Sequence, residues 1–320
     1  MKIIKRIEDI ILDESTAVAI GKFDGVHAGH RKLLAELMLA KEDGLKTVVF
    51  TFDPSPDALF GKGGIGQLST MAEKEYAFEE LGVDVLIEYP LTRDSAAIRP
   101  DDFIEEFLVK SLNAKLIIAG PDLSFGAGGK GDFALLNALR SVYGYETREI
   151  DKMVFGGKAI SSSRIRKMIE GGAMEEADAC LGRPYSILGT VTEGKKLGRE
   201  LGFPTANMDL AFEKVLPPYG VYFAEAVIEG GRYPALCNIG VRPTVEGTTR
   251  PKAETHILFF DKNIYGRELL VELIHYHRPE RKFASTEELS KQIEKDREEL
   301  EVFFSAIGKN SVFQRSADYM

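Results

Sequence analysis

Ten residues near the start of the chain, Gly21-Lys22-Phe23-Asp24-Gly25-Val26-His27-Ala28-Gly29-His30, hold groups suited to phosphate chemistry. Glycines at 21, 25 and 29 let backbone come close to a ligand. Imidazoles at 27 and 30 can donate hydrogen bonds to phosphate oxygens as charge grows in a displacement at phosphorus, which needs positioning and electrostatics rather than covalent catalysis. Two of the chain's five histidines fall here beside Asp24, more than a plain strand-turn-helix corner calls for. A second stretch runs from Gly194 to Asn207. Its glycines allow a loop to wrap phosphates, Arg199 brings fixed positive charge, and the Thr205 hydroxyl and Asn207 amide are hard oxygen ligands suited to Mg2+. It is not a Walker A loop, because no Gly-Lys-Ser/Thr follows four spaced residues, and as a bare pattern it also fits a tight barrel turn.

The elements around these groups follow from periodicity. An apolar run, Ala17-Val18-Ala19-Ile20, reads as a buried strand that stops at Gly21, and a helix with Leu33, Leu34, Leu37 and Met38 on one face starts just after His30. The free N–H groups opening that helix attract anions. Further strands are expected at 46–52, 83–88 and 115–119, and helices at 71–81, 101–112 and 132–143. This alternation predicts a parallel sheet covered on both faces, with ligands beyond the carboxyl ends of the strands, where Gly21, Phe52 and Gly120 lie. The segment 120–131 is too glycine-rich for regular structure and reads as a ligand-facing or mobile loop. Ser161, Ser162 and Ser163 open a helix near 160–170, where serines cap exposed N–H groups or bind phosphate oxygens.

Near Leu181-Gly182-Arg183-Pro184 the helical pattern gives way to strands at 190–193, 221–228, 233–239, 254–260 and 269–276, with a hairpin turn at Gly230-Gly231. Successive strands without helices predict an antiparallel barrel or sandwich, followed by a helix that opens on the capping box Ser285-Thr286-Glu287-Glu288 and presents Leu289, Ile293, Leu300 and Phe304 on one face. The expected domains are therefore 1–181, 182–306 and a frayed polar tail at 307–320. A net charge of -9 offers no electrostatic footprint for nucleic acid. No run approaches the roughly 20 apolar residues of a membrane span. Cys180 and Cys237 are isolated, which points to a reducing, cytoplasmic setting rather than a disulfide framework. Nothing in the sequence specifies an oligomeric state.

The first motif resembles the H-x-G-H signature of the nucleotidyltransferase superfamily and, more closely, that of the bacterial bifunctional riboflavin kinase/FAD synthetase family. Gly198-Arg199-Glu200-Leu201-Gly202-Phe203-Pro204-Thr205-Ala206-Asn207 is similar, nearly letter for letter, to the riboflavin kinase signature. The resemblance spans about residues 1–306 and implies a Rossmann-like adenylyltransferase domain followed by a kinase barrel. Riboflavin and ATP would give FMN at the second domain; FMN and a second ATP would give FAD and pyrophosphate at the first, with Mg2+ accompanying ATP. His27 and His30 are then catalytic, with Gly21, Phe23, Asp24, Gly29, Phe52, Asp122, Ser162, Ser163 and Arg166 contacting nucleotide or flavin. In the kinase, Gly194, Gly198, Arg199, Thr205, Asn207 and Arg278 bind nucleotide or flavin, Thr205 and Asn207 as metal ligands. Glu254 of Glu254-Thr255-His256 is implied as the general base toward the 5′-hydroxyl of riboflavin, with His256 expected on the other face of the strand. His275 and His277 are expected to be packing or surface residues. The sequence departs from the family at Leu123, usually aromatic, and at Ser55, often His, which bears on flavin affinity. Other H-x-G-H transferases lack the Pro-Thr-Ala-Asn domain, and a flavin-binding regulator without turnover would not be expected to keep these catalytic groups.

Overall fold

Residue by residue along β2 (Thr16–Ile20), side chains alternate between two cores, and that alternation organises the first half of the chain. Ala17 and Ala19 face α1 (Ala28–Leu39) and α3 (Met71–Glu80), packing with Leu33, Leu34, Leu37 and Phe78. Val18 and Ile20 face the opposite way, into a core shared with Phe50, Phe103, Phe107 and Leu136. A strand buried on both faces needs no polar alternation, which is why it reads as a continuous apolar run. This is a computed structural model; it describes residues 1–60, 66–194, 198, 201–243 and 249–308.

The first sheet has the order β1-β4-β3-β2-β5-β6, and every pairing in it is parallel. Its strands are β1 (Lys2–Ile4), β2, β3 (Lys46–Asp53), β4 (Val85–Pro90), β5 (Ala114–Ala119) and β6 (Glu146–Glu149). The chain winds from β2 outward through β3 and β4, then returns to β5 on the other side of β2. The crevice beyond the carboxyl ends of β2 and β5 is therefore the topological switch point, the place where open α/β sheets bind ligands. A short helix α2 (Pro56–Leu59) follows β3, α4 (Pro100–Asp102) continues as a π-helical stretch Phe103–Ser111, and α5 (Phe133–Tyr143) precedes β6. The edge strands β1 and β6 were not legible beforehand: one is three residues long and the other, Glu-Thr-Arg-Glu, is mostly exposed and polar. The loop after β5 is more ordered than its glycines imply. Phe125 and Gly131 exchange backbone hydrogen bonds at 3.0 and 2.9 Å, Phe125 is buried on Phe103, and Leu123 packs on the core.

A two-strand ribbon, β7 (Val154–Phe155) and β8 (Lys158–Ala159), leads to α6 (Ser162–Glu170) and α7 (Met174–Leu181). The second sheet is antiparallel throughout, in the order β10-β13-β12-β11-β14-β9. Its strands are β9 (Tyr185–Thr190), β10 (Ala206–Asp209), β11 (Gly220–Ile228), β12 (Gly231–Pro243), β13 (Thr249–Ile257) and β14 (Glu268–Pro279). A bridge between Thr192 and Asn207 brings the two edges together, so the sheet is a nearly closed barrel. β9 ends where the sequence reading begins it, because Tyr185, Ser186 and Ile187 are buried on both faces and show no alternation. The hairpin turn sits one residue earlier than expected: Glu229 and Gly230 take φ of 50° and 76°, and Gly231 already pairs with Ile228. The last helix, α8 (Thr286–Gly308), has its Glu288 N–H on the Ser285 hydroxyl at 3.2 Å, while the Glu288 carboxylate reaches the Ala284 N–H at 3.1 Å. Leu300, Phe303 and Phe304 of α8 pack on Val221, Phe223, Leu236 and Leu258.

The compact units are Met1–Ser162 and Ser163–Met320. This division lies ahead of the expected change at 181–182, because α7 packs on β9 and β14 and Asp178 accepts from the Tyr185 N–H at 3.0 Å. Among the described residues no helix is long and apolar enough to cross a membrane. Cys180 and Cys237 are buried and free. The residues after Gly308, including most of the expected tail, lie outside the described residues.

Candidate active sites

In the first unit the chain leaves β2 through a tight, strained turn. The Gly21 N–H still bonds the Phe50 carbonyl at 3.1 Å, after which Phe23 and Val26 adopt φ of 49° and 41°. Left-handed backbone at a β-branched residue is an outlier that only a determining environment maintains. Here that environment is the burial of Phe23 and Val26, both 0% exposed, with the Phe23 ring set edge-on to Phe78 at 5.5 Å. The turn delivers His27 as the N-cap of α1, its Nδ1 accepting the His30 N–H at 3.3 Å. Because Nδ1 accepts, the ring proton of His27 resides on Nε2. The two imidazoles stack at 3.7 Å with planes 12° apart, and Phe23 supports His30 edge-on at 5.2 Å. Gly29 leaves room for this stack, since a Cβ there would stand 3.3 Å from the His27 ring.

Burial pushes the His27 imidazole down to about 4, against the opposing pull of Asp24. His30 is held well below the ordinary value, first by burial, then by His27 and by Lys74. Both rings are therefore neutral N–H donors near neutrality, and the His30 Nδ1 is buried with no partner among the described residues. Asp24 turns inward: its carboxylate accepts the N–H groups of Leu68 and Ser69 at 2.7 and 3.2 Å, and its carbonyl accepts the Ser162 hydroxyl at 3.0 Å. Phe52 is 7% exposed and lies among Phe50 and Tyr89, so its side chain belongs to the core below the crevice. Asp122 is exposed at the end of β5 and pairs with Lys152 at 2.5 Å. Ser163 and Arg166 follow on α6 in the second unit, where the Arg166 guanidinium meets the Ser163 hydroxyl at 3.5 Å.

In the second unit the site residues are aligned by strand register. Glu254 on β13 pairs directly with Asn207 on β10 and with Asn238 on β12, and directly opposed residues share a face. The row Asn207-Glu254-Asn238 continues through Val221 to Arg278. The Asn207 amide donates to the Thr205 carbonyl at 3.3 Å, which leaves its Oδ1 as an acceptor. Gly194 presses on that amide so closely that a Cβ would come within 2.5 Å of Nδ2. Gly198 is as constrained, a Cβ there overlapping the Phe203 carbonyl. Arg199 lies outside the described residues. The Thr205 hydroxyl, with no hydrogen bond among the described residues, and the Asn207 carbonyl oxygen are hard oxygen donors of the kind Mg2+ takes.

Four features differ from, or were missed by, the sequence reading. His256 does not oppose Glu254; two residues along a strand return to the same face, and His256 pairs with Leu236 as Glu254 pairs with Asn238. Its Nδ1 lies 2.9 Å from the Pro204 carbonyl and its ring meets Phe203 edge-on at 5.7 Å, steadying the segment that leads to Thr205. Asn238 was not singled out; its amide donates to Glu280 at 3.0 Å, and only the pairing of β12 with β13 reveals it. Arg278 has a partner within the chain: Asp296 of α8 takes its Nε at 3.0 Å and its Nη2 at 2.6 Å. His275 and His277 do have carboxylate neighbours, Glu175 at 2.9 Å and Asp296 at 3.3 Å, and both stack with aromatic rings as packing residues do.

Comparison with known proteins matches the two parts of the chain to two different families. Residues 10–164 match the FAD synthetase family and residues 181–304 match the riboflavin kinase family. The bifunctional riboflavin kinase/FMN adenylyltransferase of Escherichia coli strain K12 is 38% identical over 309 residues, covering 95% of this chain and 98% of that protein. The enzyme of the same name from Bacillus subtilis strain 168 is 35% identical over 300 residues, covering 92% and 94%. The crystal structure of a macrolide-efflux protein from Streptococcus pneumoniae aligns with a TM-score of 0.79 at 30% identity, covering 93% of this chain and 98% of that one.

Proposed function

We propose the following roles from one premise: this chain belongs to the family of bifunctional riboflavin kinase/FMN adenylyltransferases. It phosphorylates riboflavin to FMN with ATP and adenylates FMN to FAD with release of pyrophosphate. Residues 1–181 carry the adenylyltransferase and 182–306 the kinase, a division supported by the two family matches. Buried free cysteines support the cytoplasm as its setting.

In the kinase, Glu254 accepts the proton of the riboflavin 5′-hydroxyl as that oxygen attacks the γ-phosphate of ATP. Thr205 and Asn207 would hold the Mg2+ that comes with ATP, and the ion would neutralise phosphate charge. Gly194, Gly198 and Arg199 serve to bind the ATP phosphates. Arg278, braced by Asp296, borders the flavin side. In the adenylyltransferase, a phosphate oxygen of FMN attacks the α-phosphate of ATP. His27, through Nε2–H, and His30 donate to the phosphate oxygens on which charge grows, and Ser162 holds the nucleotide phosphates. Gly21 and Gly29 admit the nucleotide; Phe23, Asp24 and Phe52 act by shaping the turn and its floor, and Asp122 lies at the flavin rim.

The observation that carries the kinase assignment is the register row that sets Glu254 beside Asn207. Glu254→Gln keeps size and most hydrogen bonding but cannot take the proton. Its riboflavin phosphorylation should fall by roughly 10²- to 10⁴-fold while FMN-to-FAD conversion persists. Chromatographic assay of the two conversions, run separately with Mg-ATP, decides the matter: a kinase rate within a few-fold of the parent removes Glu254 as base, and an equal fall in both rates means misfolding.

A further inference from the structure

Helix α3 carries Lys74, which is 2% exposed. Lysines are almost never buried so fully without a partner, and the partner here is backbone. Its ammonium donates to the carbonyl of Lys22 at 3.1 Å and, among the described residues, makes no ion pair and no second hydrogen bond. Lys22 lies between Gly21, where β2 ends, and Phe23, where the strained turn begins; its carbonyl also accepts the Thr51 hydroxyl at 3.3 Å. The same helix holds the turn twice more. Leu68 and Ser69, just ahead of α3, donate to the Asp24 carboxylate, and Phe78 meets Phe23 edge-on. Neither contact needs a charge, so a buried cation between them calls for a separate reason.

We infer that Lys74 is a positioning residue for adenylyl transfer, its ammonium fixing the Lys22 carbonyl, and so the backbone that sets His27 and His30, while placing a fixed positive charge beneath the turn. The inference rests on assigning that reaction to the His27/His30 turn. The charged and titratable groups that face Lys74 are Asp24 from the turn, His30 from α1, Asp53 from β3 and Glu88 from β4. Burial lowers the Lys74 pKa while Asp24, Asp53 and Glu88 favour its ammonium form, and that charge in turn opposes a proton on His30. Lys74 thus helps keep the imidazoles as neutral donors.

The test uses the full chain with Lys74→Met, Lys74→Arg and His27→Ala, measuring both conversions from about pH 3 to about pH 8 together with Tm. Lys74→Met is expected to melt at or above the parent temperature and to phosphorylate riboflavin normally. Its kcat for FAD formation should fall by roughly 10- to 10²-fold with KM for FMN little changed, and its acid limb should move to higher pH as His30 becomes easier to protonate. Lys74→Arg should restore most of the rate. A Lys74→Met rate within about threefold of the parent overturns the inference. So does a loss that comes only with a lowered Tm, without movement of the acid limb and without rescue by Arg. An inactive His27→Ala beside a fully active Lys74→Met overturns the role of Lys74 alone, whereas a fully active His27→Ala overturns the site assignment beneath it.

Discussion

The two halves of this chain position their reactive groups by different means. In the first, a contiguous stretch supplies both imidazoles, and a strained turn with Phe23 and Val26 in left-handed backbone aims them. In the second, Asn207, Asn238 and Glu254 come from three strands, and antiparallel register alone makes them neighbours. A turn site depends on local backbone and on whatever braces it from below. A register site depends on pairing along whole strands, and a slip of one residue would send Glu254 to the opposite face. Damage to either should therefore stay within its own reaction.

The sharpest way to break the comparison is His27→Ala. Loss of one transition-state hydrogen bond should cost FMN-to-FAD conversion on the order of 10²-fold or more, with riboflavin phosphorylation unchanged. Separate initial-rate measurements with FMN and with riboflavin check this, and a parallel fall in both would mean that the halves are not independent. A milder probe acts on the other half. Gly194→Ala places a methyl group within 2.5 Å of the Asn207 amide, so the proposed metal ligand must swing aside. Riboflavin phosphorylation should drop by about 10- to 10²-fold, as expected for small misplacements, while adenylylation proceeds. An unchanged kinase rate would show that Asn207 need not hold its place.

The smallest effect is on stability and belongs to the turn. The His27 pKa falls from 6.5 to about 4 on folding, chiefly through burial. Between those values the unfolded chain binds the proton and the folded chain does not, so stability decreases as pH falls through this window and is unaffected by this group above it. Fully developed, the penalty is roughly 3 kcal/mol. Denaturant midpoints at pH 7 and pH 5 should differ for the parent, and His27→Ala should narrow the difference.

The same contrast explains what could be read from the sequence. β2, β3 and α1 were legible because apolar runs and a helical face are local signals, and so was the motif between β2 and α1. The register row was only half legible: Asn207 and Glu254 stood out through resemblance, but Asn238 has no local signature and becomes visible only once β12 lies beside β13. Lys74 was missed for the opposite reason, since a lysine within a charged helix reads as solvated until α3 is docked. His256 shares the face of Glu254 because side chains two apart along a strand point the same way. The edge strand β6 is polar and exposed, and its identity comes from pairing with β5 rather than from its own residues.

The stacking of His27 on His30 limits how many protons the turn can hold. With centroids 3.7 Å apart, two imidazolium rings would repel by about 4 kcal/mol at an effective dielectric of 20. Once one ring is charged the other is strongly opposed to following, so the pair titrates in two widely separated steps that belong to the pair and not to either ring. Acid inactivation of FAD formation should then be first order in proton concentration, giving a slope of one in the logarithm of the rate against pH, although two histidines serve the reaction.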